Sequence, residues 1–149
     1  MGVFEWARRS VPMLEHPNYG PLRASERSDG GPWLWETLDL LHTSRGDADL
    51  GFEAGASGPG PSHEAQLEEI VADLDPLTHA AAPLIDLKLG GRFERRLADD
   101  PWDALEWQGA LLTGSPGVFR LHYSCRSCPD AMITVLFEES RPFDVQIDD

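Results

Sequence analysis

The clearest periodicity along the chain is helical and lies in its middle third. Four apolar residues recur there every three or four positions: Leu67, Ile70, Val71 and Leu74. Ser62 precedes this stripe and is suited to cap a helix. Pro76 then favours the start of a second helix, which the pair Gly90-Gly91 would end. The pattern predicts two consecutive helices between residues 62 and 90.

The last third of the chain changes to a period of two, which is typical of strands. Four segments there predict strands: 105–112, 118–123, 132–137 and 143–147. In the second segment, one face would carry Phe119, Leu121, Tyr123 and Cys125, and the other would carry Arg120, His122 and Ser124. These four strands predict a β-meander.

Two further strands are predicted ahead of the helices, at 33–38 and 47–54. Residues from about 7 to 32 are interrupted by four prolines, so we expect an irregular N-terminal arm there. The order of a strand pair, a helix pair and a β-meander predicts an α+β fold. We expect a single domain over residues 1–149, built as an antiparallel sheet with the helices packed on one face.

The composition is that of a globular protein, with 41% hydrophobic and 26% charged residues. No stretch approaches the roughly 18 consecutive apolar residues of a transmembrane helix. Two cysteines do not make the disulfide framework of a small secreted protein. We therefore expect a soluble, cytoplasmic protein. The sequence does not indicate its oligomeric state.

Charge is the strongest compositional feature, because 12 basic residues stand against 26 acidic ones and give a net charge of −14. The excess lies in the middle of the chain, where residues 31–87 hold Arg45 and eleven acidic residues (1 − 11 = −10). Such a segment repels nucleic-acid phosphates and anionic membranes and attracts cationic proteins. The alternative is an acidic surface that serves only solubility. We expect neither nucleic-acid nor membrane binding.

Four acidic residues of the first predicted helix form the candidate contact surface for a basic protein partner: Glu64, Glu68, Glu69 and Asp73. The sequence contains no convergent catalytic set, so we expect a non-enzymatic protein-binding module rather than an enzyme. A bacterial immunity or antitoxin-like protein that neutralises a basic toxin is one concrete form of this hypothesis. That form rests on an analogy of size and charge.

The one pointed chemical feature is the pair Cys125-x-x-Cys128, because thiolates at this spacing can share a soft metal or close a disulfide. In a zinc site His122 would be the third ligand, and the fourth would be a carboxylate or one of His16, His42, His63 and His79. Redox chemistry would need a helix after the pair, whereas residues 131–137 favour a strand. In the third interpretation both thiols are reduced and idle and no cofactor is bound. A small metal-binding or thiol-redox protein is thus the alternative function.

Overall fold

A computed structural model describes residues 12–25, 31–93, 104–126 and 128–148. Within these ranges the strands are β1 (Met13–His16), β2 (Gly20–Ser25), β3 (Trp33–Thr37), β4 (Leu41–Thr43), β5 (Gly46–Ala54), β6 (Leu105–Leu112), β7 (Phe119–Cys125), β8 (Cys128–Glu138) and β9 (Arg141–Asp148). The helices are α1 (Pro61–Ala72) and α2 (Leu74–Phe93). The predicted α+β class is confirmed, and the sheet is mostly antiparallel.

Eight strands follow one another in the order β1-β2-β3-β5-β6-β7-β8-β9, and β4 pairs with β5 beside this path. All neighbours are antiparallel except β5 and β6, which run parallel with Asp49 opposite Gly109 and Leu50 opposite Ala110. A wholly antiparallel sheet was predicted, and this one pair departs from it. The reason is the connection, because two helices between β5 and β6 return the chain to the end of the sheet from which β5 started.

The sheet is also larger than predicted, because part of the expected irregular arm at 7–32 is a hairpin. β1 and β2 pair with Leu14 opposite Leu22 and His16 opposite Gly20. Gly20 has a φ of +71°, which only glycine adopts without strain and which ends the turn between the strands. The prolines that indicated irregular chain occupy turns and strand ends here. Residues 7–11 and 26–30 of the arm lie outside the described residues.

The two helices cover one face of this sheet. Alternate strand residues and one stripe of each helix form a single buried cluster, whose largest fully buried members include Leu22, Trp35, Leu50, Phe52, Ile70, Ile85, Leu89, Leu112, Leu121, Tyr123, Ile133 and Phe137. Along β7 the burial alternates strictly, with the side chains from Phe119 to Cys125 in turn buried and half-buried. Removal of this apolar area from water is the main source of the stability of the fold.

A buried glutamine holds α1 against the loop between β6 and β7. The Gln66 Nε2 donates to the carbonyl oxygens of Ser115 and Val118, at 2.8 and 3.0 Å. Its Oε1 accepts from the backbone N–H groups of Thr113 and Gly114, at 3.0 and 3.1 Å. These contacts use the whole hydrogen-bonding capacity of the amide, as a side chain with 5% exposure requires.

The start of α1 differs from the prediction that Ser62 caps it. The cap is Gly60, and Pro61 is the first helical residue. The imidazole of His63 takes over the side-chain contact, because its Nδ1 accepts the Gly60 N–H at 3.1 Å. Its Nε2 lies 2.8 Å from the carbonyl oxygen of Glu53, so His63 ties the helix start to β5. In this geometry Nε2 carries the hydrogen.

Candidate functional site

Neither described helix covers the other face of the sheet, here called the open face. Strand register determines which side chains meet there. One row across the open face reads Arg23, Glu36, Gly51, Leu111, Arg120, Leu136 and Asp144. All members of this row are half-buried or exposed. Apolar and charged side chains therefore stand next to one another on a surface that water reaches.

Two glycines at the centre of the open face create a pocket. Gly51 and Gly109 lie on the neighbouring parallel strands β5 and β6 and present no side chain, so a depression of about 400 Å³ remains between taller residues. This volume is within the range of small ligand sites. We call it the junction pocket. The side chains that line it on the open face are Leu34, Glu36, Asp49, Gln108, Leu111, His122 and Met132.

The two glycines are needed for different reasons. A Cβ atom on Gly109 would lie 2.0 Å from the carbonyl oxygen of Asp49, so the close approach of the two backbones excludes any side chain. A register shift between Trp107 and Gly109 accompanies this approach. The nearest atoms to a Cβ on Gly51 would be flexible side-chain atoms, the Cδ1 of Leu111 at 3.1 Å and the Cδ1 of Leu34 at 3.5 Å. Gly109 thus permits the strand contact, and Gly51 sets the depth of the pocket.

The junction pocket combines apolar walls with an anionic rim. Leu34 and Leu111 stand on its two sides, and Met132 is 43% exposed. The carboxylates of Glu36 and Asp49 are exposed at the rim, and the Thr37 hydroxyl lies 3.4 Å from Asp49 Oδ1. Such a site suits a ligand with an apolar stem and a cationic end.

His122 borders the junction pocket as a neutral group. Its Nδ1 lies 3.1 Å from the hydroxyl oxygen of Thr134. Burial lowers the pKa of His122 below its ordinary 6.5, the positive charge of Arg120 lowers it further, and Asp49 opposes the shift in part. At neutral pH the imidazole is therefore uncharged and does not cancel the negative charge of the rim.

A second apolar patch continues the open face towards its far end. Leu136, Glu53 and Arg120 line a smaller depression of about 180 Å³, together with Phe143 and the buried Phe119 and Phe137. Phe143 is 53% exposed. Apolar side chains of the open face therefore continue beyond the junction pocket to Leu136 on β8.

The four acidic residues predicted to contact a partner lie on the helix side of the molecule. Glu64 accepts a hydrogen bond from Asn18 Nδ2 at 2.7 Å and lies 3.9 Å from His16 Nε2, so its charge is partly engaged. The other three, Glu68, Glu69 and Asp73, are exposed. The open face carries a separate set of carboxylates that sequence reasoning did not single out.

The structure does not bring the three predicted metal ligands together. Cys125 and Cys128 are register partners across the hairpin of β7 and β8, and neither forms a disulfide. Cys125 is buried on the helix-covered face, whereas His122 lies on the open face and contacts Thr134. β8 begins at Cys128, so a strand and not a helix follows the pair. Among the described residues, no group of three or more histidine, cysteine or acidic side chains is arranged to hold a metal.

Comparison with known proteins finds no matching family model, no similar curated protein and no similar solved structure. Within the described ranges, no helix is long and apolar enough to cross a membrane. The candidate site is therefore defined by the geometry of this chain.

Sequence reasoning missed the junction pocket, because its lining comes from five strands that are distant along the chain. One local signal was present. Gly51 and Gly109 each interrupt a segment that predicts a strand, and a glycine in such a place often marks a bulge or a close approach of another backbone. The signal indicates that something approaches each glycine, but it does not indicate that the two glycines are neighbours.

Proposed function

We propose that this protein is a non-enzymatic binding module for a basic protein and that the open face is its contact surface. The observation that carries the proposal is the composition of that face. Exposed or half-exposed apolar residues, such as Leu111, Met132 and Leu136, stand among carboxylates and around a pocket. Protein interfaces combine an apolar centre with a polar rim in this way.

The charge of the chain supports a basic partner rather than a second copy of itself. Two copies would each bring a net charge of −14 and repel one another, whereas a cationic protein would be attracted from a distance. Glu68, Glu69 and Asp73 on the helix side, which the sequence predicts as contact residues, add to this long-range attraction. The open face would supply the short-range contacts that determine which protein binds.

The contacts of the polar groups around the junction pocket support binding rather than catalysis. His122 and Asp49 each lie next to a threonine hydroxyl, at 3.1 and 3.4 Å. Both threonines, Thr134 and Thr37, are buried at 8% and 7% exposure, whereas a hydroxyl nucleophile that is paired with an acid or base has to reach a substrate. An immunity or antitoxin-like protein that covers a basic toxin in the cytoplasm is the form of this function that size and charge favour.

The test begins with a partner captured from an extract of the source organism on the full chain, then identified and purified. Its dissociation constant is measured by titration calorimetry at low and high ionic strength. We expect a basic protein whose affinity falls as salt is added. Met132→Arg, which places a cation on the open face, should weaken binding by about tenfold or more.

The matched control for this substitution is Leu87→Arg. Leu87 is 71% exposed on α2, so an exposed apolar residue is again replaced by arginine with the same change in net charge, but the position lies on the helix side. We expect binding close to that of the unchanged protein. An equal loss in both variants would exclude the open face as the contact surface. A partner that is not basic, or an affinity that does not respond to salt, would overturn the function itself.

A second candidate function is suggested by the register of the two cysteines. Because Cys125 and Cys128 stand opposite each other across a hairpin, their thiols are placed to react or to bind metal together. Metal analysis of protein purified without chelator tests this directly. About one equivalent of zinc that is lost in Cys125→Ser would favour this function over protein binding. The absence of zinc, together with slow and independent alkylation of both thiols, would exclude it.

A further inference from the structure

We propose that the junction pocket accepts a single arginine side chain of the basic partner. The inference rests on the proposed function and names the chemical group that the open face recognises. The pocket has a floor without side chains at Gly51 and Gly109, apolar walls, and carboxylates at its rim. The bare floor and the apolar walls suit the methylene stem of an arginine side chain, and the carboxylates suit its guanidinium group.

The shape of the pocket suits a long, unbranched stem. The volume of about 400 Å³ leaves room for one side chain. Leu34 and Leu111 flank the floor at Gly51, and their Cδ1 atoms would lie 3.5 and 3.1 Å from a Cβ placed on that glycine. The methylene groups of an arginine that lies over Gly51 would therefore contact apolar atoms on both sides and leave water.

The rim determines the charge of the occupant. Glu36 and Asp49 are both exposed and both line the pocket. Arg23 is the register partner of Glu36 on the same face, so it compensates part of that charge. Asp49 is therefore the principal anion for an incoming cation. A guanidinium group is weakly hydrated and can place two N–H groups on one carboxylate, which favours arginine over the strongly hydrated ammonium of lysine.

Among the residues that the structure describes, no arginine or lysine lines the junction pocket. Arg120 is opposite Leu111 and lines the second apolar patch with Glu53 and Phe143. His122 borders the pocket, and the lowering of its pKa keeps it uncharged at neutral pH. A neutral imidazole leaves the rim negative and offers a flat surface to a guanidinium plane.

The proposal is tested by an NMR titration of the full chain with N-acetyl-Ala-Arg-Ala-amide. The control peptides carry citrulline, which keeps the shape of arginine without its charge, or lysine. We expect saturable shifts of the backbone amide signals of Gly51, Gly109 and His122 with the arginine peptide. Citrulline should produce no saturable shift, and the lysine peptide should bind several-fold more weakly.

Variants then separate the pocket from general attraction between charges. Asp49→Asn should weaken the arginine peptide by about five- to tenfold, since it removes a charge-assisted hydrogen bond. Glu69→Gln removes the same charge from an exposed position on α1 and should leave the affinity within about twofold. Gly51→Val fills the floor of the pocket without changing the charge and should abolish saturable binding. Thermal unfolding checks that each variant is folded.

The outcomes distinguish this inference from the proposed function. If Glu69→Gln weakens the peptide as much as Asp49→Asn does, or if Gly51→Val binds normally, the pocket is not the site, although a basic partner can still bind the open face. If lysine binds as tightly as arginine, the choice of arginine is wrong. If the arginine peptide occupies the pocket but the purified partner binds Gly51→Val with unchanged affinity, the partner does not insert an arginine side chain into the pocket.

Discussion

The two faces of the sheet are built from the same strands but have opposite roles. On β5, Leu50 and Phe52 point to the helices and are at most 1% exposed, whereas Asp49 and Gly51, which alternate with them, belong to the open face. The helix-covered face holds the fold together by excluding water. The open face contributes less to stability, so its residues are available for contacts with a partner. Substitutions should therefore have different consequences on the two faces.

The largest expected effect tests this difference directly. Phe52 is fully buried, and its ring centre lies 4.7 Å from that of Tyr19 and 6.0 Å from that of His63. Phe52→Ala should lower the free energy of unfolding by about 3–5 kcal/mol, because it leaves a cavity in the core. Leu111→Ala on the open face should cost about 1 kcal/mol or less. Urea unfolding measures both values, and similar losses would contradict the comparison.

A second substitution should lower the stability of the fold although it lies on the open face. Gly109→Ala places a Cβ against the carbonyl oxygen of Asp49, and backbone atoms cannot move aside as a side chain can. We expect a loss of about 1–3 kcal/mol in the free energy of unfolding. Gly51→Ala is the matched control, because its Cβ meets the flexible Leu111, and it should change stability by less than about 0.5 kcal/mol. Equal losses of stability in the two variants would show that the close approach of the Asp49 backbone does not exclude a side chain at position 109.

Burial on the helix-covered face should also change the titration of the tyrosine side chains. The chain has two tyrosines. Burial raises the pKa of each to about 12, with added repulsion from Glu64 and Glu68 at Tyr19, and with partial opposition from the Thr78 hydrogen bond at Tyr123. The unfolded chain loses these protons near pH 10, so stability should fall as the pH rises from about 10 to 12. Ultraviolet absorbance near pH 10.5 should show little tyrosinate in the folded protein and most of the full signal in urea.

The smallest effect on the free energy of unfolding is expected from the protonation of His122 on the open face. Its pKa is lowered in the folded protein, so the unfolded chain binds the proton more tightly. Stability should therefore be complete above the unfolded pKa of about 6.5 and should fall as the pH drops below it. His122→Gln should remove this part of the dependence on pH, as measured by urea unfolding between neutral and mildly acidic pH. An NMR titration midpoint of the His122 ring at or above 6.5 would contradict the assignment.

Local patterns predicted those parts of the fold that depend on nearby residues. The apolar stripe from Leu67 to Leu74 indicated a helix, and α1 buries Leu67 and Ile70. The alternation along 119–125 placed Cys125 and His122 on opposite faces, as the structure has them. The prolines of the N-terminal arm gave the wrong indication for 13–25. A hairpin forms there because β2 finds a partner in β3, which local composition does not reveal.

By itself the sequence determined the acidic charge, the periods of the helices and strands, and the two glycines within strands. These are properties of single residues and their close neighbours. Only the tertiary structure decided that β5 and β6 lie side by side in parallel, which places Gly51 next to Gly109 and forms the junction pocket. It also decided which face of the sheet the helices cover. Both depend on how the chain returns after two helices, and contacts between distant segments determine that path.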